Sequence, residues 1–194
     1  ELITEQKETG VFLTVLGYGS GNYSDANMES IADCGNGNYY YIDCLAEAER
    51  VLVDKLKQTT VTVAKDVKFQ VEFNPLEVTE YRLIGYENRT MAAEDFEDDS
   101  KDGGETGAGQ TVTVLYEIVR NESGETDSEL RYQGNRSLTE EALNGELLTL
   151  SVRYKEPDGV RSNEENFHVI ARHGAFTKMS KDFAFAAGLA QLSM

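Results

Sequence analysis

The spacing of apolar residues changes near residue 60, and this change constrains the fold more than any other feature of the chain. Before that point, residues 11–16 form a continuous apolar run, as expected of a strand covered on both faces. Residues 25–34 and the segment from Leu45 onward have helical spacing, and residues 39–42 form a second strand. This alternation of strand and helix is typical of a parallel sheet with covering helices.

Local signals predict where these elements begin and end. Ser24 or Asp25 caps the helix at 25–34, and Gly35 ends it. Residues 1–9 read as the last turns of a helix that Gly10 terminates in a left-handed conformation. One apolar side is predicted for the helix that starts at Leu45, with the members Leu45, Ala48, Leu52 and Leu56.

From residue 61 onward, apolar and polar residues alternate. Six residues of the first run share one predicted face: Val61, Val63, Val67, Phe69, Val71 and Phe73. Further alternating runs lie at 81–84, 112–118, 148–154 and 167–169, and a helical pattern covers 178–194. We therefore predict an α+β chain, with a partial, Rossmann-like α/β domain at 1–59 and an antiparallel β-sandwich with a C-terminal helix at 60–194.

A glycine cluster after the first strand raises the question of a nucleotide site. Gly17, Gly19 and Gly21 begin a G-x-G-x-x-G pattern, but Asn22 stands at the last glycine position. Asp43 closes the next strand, roughly where an acid that binds a ribose would lie. The cluster therefore fits a nucleotide site in part. It fits equally a strand-to-helix turn in which glycines relieve crowding, and we favour this interpretation.

The acidic segment 94–105 raises the question of calcium binding. An EF-hand loop that starts at Asp98 would place Ser100 third, Asp102 fifth and Gly103 sixth. Its twelfth position would be Gly109, where a bidentate glutamate is required. The EF-hand match therefore fails, and we favour a solvated acidic loop over a looser oxygen site.

The charge of the chain excludes two classes of partner. The formal net charge is −17, and more than half of this excess lies between residues 87 and 129. Such a chain cannot neutralise phosphates, which argues against nucleic acid and anionic membrane surfaces. No apolar run approaches the roughly 18 residues of a membrane-spanning helix, so no membrane insertion is expected of this segment.

Side chains suited to catalysis or zinc binding are sparse. Cys34 and Cys44 flank a strand of about five residues that spans ~17 Å, whereas a disulfide needs Cα atoms within ~7 Å, so free thiols are expected. His168 and His173 lack the spacing of a zinc site, and no nucleophile elbow occurs. We predict that the chain is not an enzyme, and we assign it no catalytic, cofactor-binding or metal-binding residue.

Two sets of segments resemble known bacterial proteins. The first set resembles the last two strands and last two helices of a von Willebrand factor A domain, and comprises residues 11–19, 28–33, 35–43 and 46–52. The second set resembles the C-terminal domain of bacterial YfbK-type proteins, and comprises residues 64–75, 81–89, 93–96, 107–118 and 147–155. Together the two sets cover nearly the whole chain.

The resemblance implies an extracytoplasmic bacterial protein, lipid-anchored through an N-terminus outside this chain. The intact A domain would bind a protein partner through Mg²⁺ or Ca²⁺, held by Asp-x-Ser-x-Ser and a later Thr and Asp. None of these motifs occurs in this chain, and 98–102 is no substitute because it ends in Asp and follows no buried strand. No cofactor is therefore expected here.

We expect a non-enzymatic binding protein of adhesion type, in which this chain serves as scaffold and as part of an interaction module. Two alternatives remain: a nucleotide-binding enzyme that uses Gly17–Gly21 and Asp43, and a calcium-stabilised module that uses 94–105. Both chain ends look cut, so strand 11–16 would have an unpaired edge. We expect this half to pack on the sandwich, to associate with another copy, or to be partly disordered.

Overall fold

The computed structural model describes residues 2–19, 24–86, 89–123, 138–170, 172, 174 and 178–194. The helices are α1 (Leu2–Glu8), α2 (Asp25–Cys34), α3 (Leu45–Glu49), α4 (Leu56–Thr60), α5 (Glu140–Leu143) and α6 (Lys181–Ser193). A π-helical segment, Arg50–Asp54, lies between α3 and α4, and Ala93–Asp95 forms a 3₁₀ turn. The strands are β1 (Val15–Tyr18), β2 (Tyr39–Ile42), β3 (Thr62–Phe73), β4 (Val78–Ile84), β5 (Gly104–Gly107), β6 (Leu115–Arg120), β7 (Glu146–Lys155) and β8 (Ser162–Ile170).

Within the described residues the strands form three sheets, and the chain divides into two compact units. One sheet has the order β5-β3-β7-β8, and the other two pair β1 with β2 and β4 with β6. The first unit comprises Glu1–Lys68, Asp98–Thr111 and Arg153–Asn163, and the second comprises Phe69–Glu97, Val112–Val152 and Glu164–Met194. The structure thus confirms an α+β chain with antiparallel strand pairs, namely β3 with β5 and β4 with β6.

In the first unit, β1 and β2 pair in parallel, and α2 connects them. Ser24 caps α2 by accepting the Asn27 N–H at 3.4 Å, which confirms the predicted cap. The predicted strand 11–16 is wrong at its start, because the chain enters β1 only at Val15. Before that point the Leu13 N–H donates to Gly35 O, so residues 11–14 run along the connection between α2 and β2.

The predicted apolar face of the helix after Leu45 is also wrong in detail. Val51 is the buried residue, whereas Leu45 is 84% exposed and Leu52 is also exposed. The Lys55 N–H donates to Arg50 O, a π-type bond that widens the turn by one residue. Because of this wider turn, the side chains after residue 50 lie on a different face of the helix from the one that a regular period of about 3.6 residues predicts.

Strand β3 contains a bulge that changes which side chains are buried. Its pairing with β5 shifts register between Ala64 and Val67, and Asp66 adopts a left-handed φ of 51°. Beyond the bulge, Lys68 is only 4% exposed, while Phe69 is exposed. The predicted apolar face of this strand is therefore wrong next to the bulge, where Lys68 is buried in place of Phe69, whereas Phe73 of that face packs against aromatic rings.

In the second unit, the end of β3 packs against the antiparallel pair β4–β6. The ring of Phe73 lies 4.8 Å from Tyr81 and 5.3 Å from Tyr116, measured between centroids. Val78, Phe96 and Ala190 are buried in this unit. These ring contacts join the end of β3 to the β4–β6 pair. No helix in the described ranges is both long and apolar enough to cross a membrane.

Candidate functional site

The glycine turn and Asp43 lie at the same end of the parallel pair. Tyr18 aligns with Ile42 across β1 and β2, so Gly19 and Asp43 both follow the carboxyl ends of their strands. Gly19 has a φ of +85°, and its carbonyl oxygen accepts the Tyr41 hydroxyl at 2.9 Å. Gly21 and Asn22 lie outside the described residues. The structure therefore places Gly19 and Asp43 at the same end of the parallel pair, with Gly17 inside β1.

The carboxylates of the acidic segment are directed toward serines and cations. Asp98 accepts the Ser100 N–H at 2.9 Å, and Asp99 accepts the Arg153 guanidinium at 2.9 Å and the Ser162 hydroxyl at 2.5 Å. The Ser162 and Arg153 hydrogen bonds hold the pKa of Asp99 below its usual range. Across the described ranges, no group of three or more His, Cys, Asp or Glu side chains is placed to hold a metal ion.

Three cationic side chains anchor the acidic segment on the sheet. The Lys155 ammonium donates to Asp66 Oδ2 at 2.6 Å and to the Asp99 carbonyl at 3.1 Å. Buried Lys68 donates to the Asp98 carbonyl at 2.5 Å, and Arg153 pairs with Asp99. Burial acts to raise the pKa of Asp66, but the hydrogen bonds from Lys155 and Gly103 outweigh it and lower that pKa. The bulge at Asp66 is thus the centre of a charged network that orders the loop.

His168, Cys34 and Cys44, which the sequence also singles out, are not among the residues of this network. His168 is exposed on β8, with Nδ1 3.2 Å from the Thr149 hydroxyl oxygen and 3.5 Å from Glu146 Oε2. His173 lies outside the described residues. Cys34 and Cys44 are free and exposed, which confirms the expectation of free thiols.

A polar cleft lies beside the charged network within the first unit. Its cavity volume is about 20 Å³, room for about one water molecule. Its lining consists of Phe12, Thr14, Asn36, Gly37, Asn38, Gln58, Thr62, Glu105, Thr106, Gly107 and Gln110. Gln58 Nε2 donates to the Gly109 carbonyl at 3.0 Å, and Gln110 Oε1 accepts the Gly107 N–H at 3.0 Å. These two bonds hold β5 and its turn beside α4.

Glu105 is the ionisable residue in the lining of this cleft. Its Oε1 accepts the Asn36 Nδ2 amide at 3.2 Å, while its Oε2 is buried without a hydrogen-bond partner. Burial, helped by the negative charges of Asp66 and Asp102, raises the pKa of Glu105 to about 7 against the opposing effect of the Asn36 hydrogen bond. A carboxyl group in this setting can change its charge near neutral pH, and it can accept a donor from a ligand.

The sequence did not indicate Glu105 as a site residue, because Glu105 is the last acidic residue of a segment predicted to be a solvated loop. Strand β5 has the sequence Gly-Glu-Thr-Gly, and its glycines give no β signal. Its partner Asn36 lies 69 positions earlier, in the turn between α2 and β2. The available signal was the switch from acids to Gly-Glu-Thr-Gly-Ala-Gly-Gln at 104–110, which indicates a tight backbone approach.

Comparison with known protein families agrees with the YfbK part of the resemblance. The model of a family described as "Uncharacterized protein YfbK, C-terminal" matches residues 58–194. The chain belongs to this family. A YfbK relative from Escherichia coli (strain K12), described as "Uncharacterized protein YfbK", is 43% identical over 189 residues. The match covers 97% of this chain and 32% of the relative, so the chain spans about a third of that YfbK protein. No solved structure matches.

The setting of Glu105 predicts a pH-dependent stability for this YfbK-family chain. The folded pKa of about 7 exceeds the ordinary value of 4.5, so the folded state binds the proton more tightly than the unfolded state. The contribution of Glu105 is therefore fully present below pH 4.5 and is lost as the pH rises through about 7. Allowing for partial exposure, we expect a loss of about 1–2 kcal/mol.

The measurement is urea denaturation of the wild type and Glu105→Gln between pH 5 and pH 8. The variant should remove most of the decline across this range, while Glu156→Gln, an exposed change in the same unit, should retain it. Parallel pH profiles for the wild type and Glu105→Gln would show that Glu105 does not titrate in this window.

Proposed function

We propose that the protein is non-enzymatic and binds a protein partner, and that the polar cleft of this chain is part of the recognition surface. The observation that supports this proposal is the lining of the cleft. Besides Glu105, it consists of amide and hydroxyl side chains, glycines and one phenylalanine. General acid–base or nucleophilic catalysis uses at least two titrating or activated groups in contact. A lone carboxyl group among amides is better suited to recognition by hydrogen bonds.

We also propose an extracytoplasmic, lipid-anchored location and divalent-dependent binding for the whole protein. These proposals rest on the resemblance of the first part of the chain to the end of a von Willebrand factor A domain. The strand–helix–strand–helix order of β1, α2, β2 and α3 supports that relation. The Mg²⁺ or Ca²⁺ of such a domain would be held by residues outside this chain. Cell fractionation of the intact protein tests the proposed compartment.

Site-specific photo-crosslinking in the intact protein tests partner binding. A photoreactive benzoylphenylalanine would replace Asn38 in the cleft lining or, as a control, Glu156, which is exposed and lies outside the lining. A discrete adduct from position 38 that is absent from position 156 would support the proposal. The same adducts from both positions, or none from either, would contradict it. Loss of the adduct in EDTA would support divalent dependence, and its persistence would contradict it.

A nucleotide-binding enzyme is the second candidate function, and one observation favours it. Gly19 and Asp43 follow the carboxyl ends of two paired parallel strands, the end at which α/β sheets bind ligands. A bound nucleotide at ~100 times its Kd would stabilise the chain by ~2.7 kcal/mol. Thermal shift measurements with ATP or NAD⁺, with and without Mg²⁺, therefore separate this candidate from the first. An unchanged Tm at millimolar nucleotide would exclude the nucleotide-binding function.

A calcium-stabilised loop at 94–105 is the remaining alternative. Calcium would have to compete with the ion pair between Asp99 and Arg153 and with the pair between Asp102 and Lys7. Thermal shift measurements with millimolar Ca²⁺ test this alternative, since an ion that binds the folded state would raise Tm, and an unchanged Tm would exclude it. Partner binding through the cleft requires no such response.

A further inference from the structure

The cleft contains a carboxylate oxygen whose hydrogen-bonding capacity is unused in the structure. Glu105 Oε2 is buried without a partner, although Oε1 accepts the Asn36 amide. An ionised carboxylate offers about four acceptor sites on its two oxygens and has no donor of its own. The last torsion of a glutamate side chain is broad and roughly two-fold, so either oxygen can take the free position. Oε2 itself is buried, so rotation about this torsion would have to turn the unfilled acceptor toward a donor that enters the cleft.

The charges around Glu105 leave this acceptor poorly neutralised. Asp66 and Asp102 add negative potential at the carboxyl group, and Lys65 supplies the opposing positive charge. The lysines that pair with the two aspartates, Lys155 and Lys7, are held by those pairs. The chain as a whole carries a net charge of −17. A cation that reached Glu105 would therefore gain from the local field as well as from the contact.

We propose that this cleft binds a positively charged nitrogen group, an ammonium or a guanidinium, through the carboxylate of Glu105 and the amide oxygens beside it. The carboxylate has already lost much of its hydration on folding, so pairing with a cation adds less desolvation cost than it would at an exposed acid. Charge-assisted hydrogen bonds from N–H groups are about twice as strong as neutral ones. Because the cavity has room for about one water-sized group, it suits an ammonium or the edge of a guanidinium rather than a larger group.

Cation binding at Glu105 does not itself depend on the proposed function. Only the source of the cation depends on it. A partner protein would supply it from a lysine or arginine side chain, and a metabolite would supply it as a free amine or guanidine. The chemistry at Glu105 is the same in both cases. The cation would also lower the pKa of Glu105, so binding should release a proton near neutral pH and tighten as the pH rises.

The test compares methylguanidinium with methylurea, which has a similar shape but no charge, by NMR titration of the whole chain. We expect saturable shifts of the Asn36 and Asn38 side-chain amide signals with methylguanidinium and none with methylurea. Affinity should rise at least about threefold from pH 6 to pH 8. Glu105→Gln should weaken binding at least about tenfold, whereas Glu156→Gln should leave it unchanged. Equal responses to both probes, an unchanged affinity in Glu105→Gln, or no pH dependence would overturn the proposal.

A second arm distinguishes the two sources of the cation. Short peptides with one lysine or arginine are titrated beside butylamine under the same conditions. Tighter binding of a peptide supports a partner side chain as the source, and tighter binding of butylamine supports a free amine. If cations bind but cross-linking from Asn38 captures nothing, this inference stands and the proposed function fails. If cross-linking succeeds without any cation response, the inference fails and the proposed function stands.

Discussion

Replacing Gly107 with alanine is expected to lower the free energy of unfolding by about 3 kcal/mol or more. A Cβ atom built at Gly107 would overlap the carbonyl group of Gln58, so the backbone of β5 would have to move away from α4. Backbone atoms cannot give way as the end of a flexible side chain can. The Gln58–Gly109 hydrogen bond and the position of Glu105 both depend on this close approach.

Gly104→Ala is the matched control, because Gly104 lies three residues away on the same strand. The nearest atom to a Cβ at Gly104 is the Val67 carbonyl oxygen at 3.9 Å, an ordinary contact distance. We expect its free energy of unfolding to stay within about 1 kcal/mol of the wild type. Urea denaturation followed by circular dichroism measures both variants. Equal midpoints for Gly107→Ala and Gly104→Ala would show that β5 and α4 do not approach as closely as described.

Elements whose signals are local could be predicted from the sequence almost to the residue. Helix α2 begins after the Ser24 cap and ends before Gly35, and β2 spans residues 39–42, as predicted. Gly10 follows α1 with a φ of +83°, as a left-handed terminator should. Each of these outcomes depends on residues within a few positions of one another, so one sequence contains the whole signal.

The errors in the predicted faces and in the candidate site have a different cause. The bulge in β3 depends on Asp66 accepting hydrogen bonds from Gly103 and Lys155, which lie 37 and 89 positions away. The alternation of apolar and polar residues along a strand does not depend on such distant contacts. The burial of Lys68 could therefore not be predicted from it. Glu105 shows the same limit, because its pKa is set by burial and by residues that only the fold brings near it.

Asn74→Ala is expected to destabilise the chain by about 2–4 kcal/mol, because Asn74 is a buried polar residue whose side chain satisfies three backbone groups. It is 8% exposed. Its Nδ2 donates to the Ala142 and Glu146 carbonyls at 2.9 and 2.7 Å, and its Oδ1 accepts the Leu76 N–H at 3.0 Å. Alanine leaves two acceptors and one donor buried in the second unit without these bonds.

Asn74→Asp distinguishes lost hydrogen bonds from lost packing, because aspartate has nearly the same volume. Its carboxylate can still accept the Leu76 N–H, but it faces the carbonyls of Ala142 and Glu146 with no proton to donate. We therefore expect Asn74→Asp at pH 7 to be at least as unstable as Asn74→Ala, and to recover part of the loss in acid, where the carboxyl group regains one donor. Asn166→Ala removes an exposed asparagine from β8 in the same unit and should cost less than about 1 kcal/mol. Urea denaturation of the three variants at pH 5 and pH 7 is the measurement. An Asn74→Asp variant as stable as the wild type at pH 7 would mean that the two donated hydrogen bonds do not hold α5 and β7 to the turn after β3.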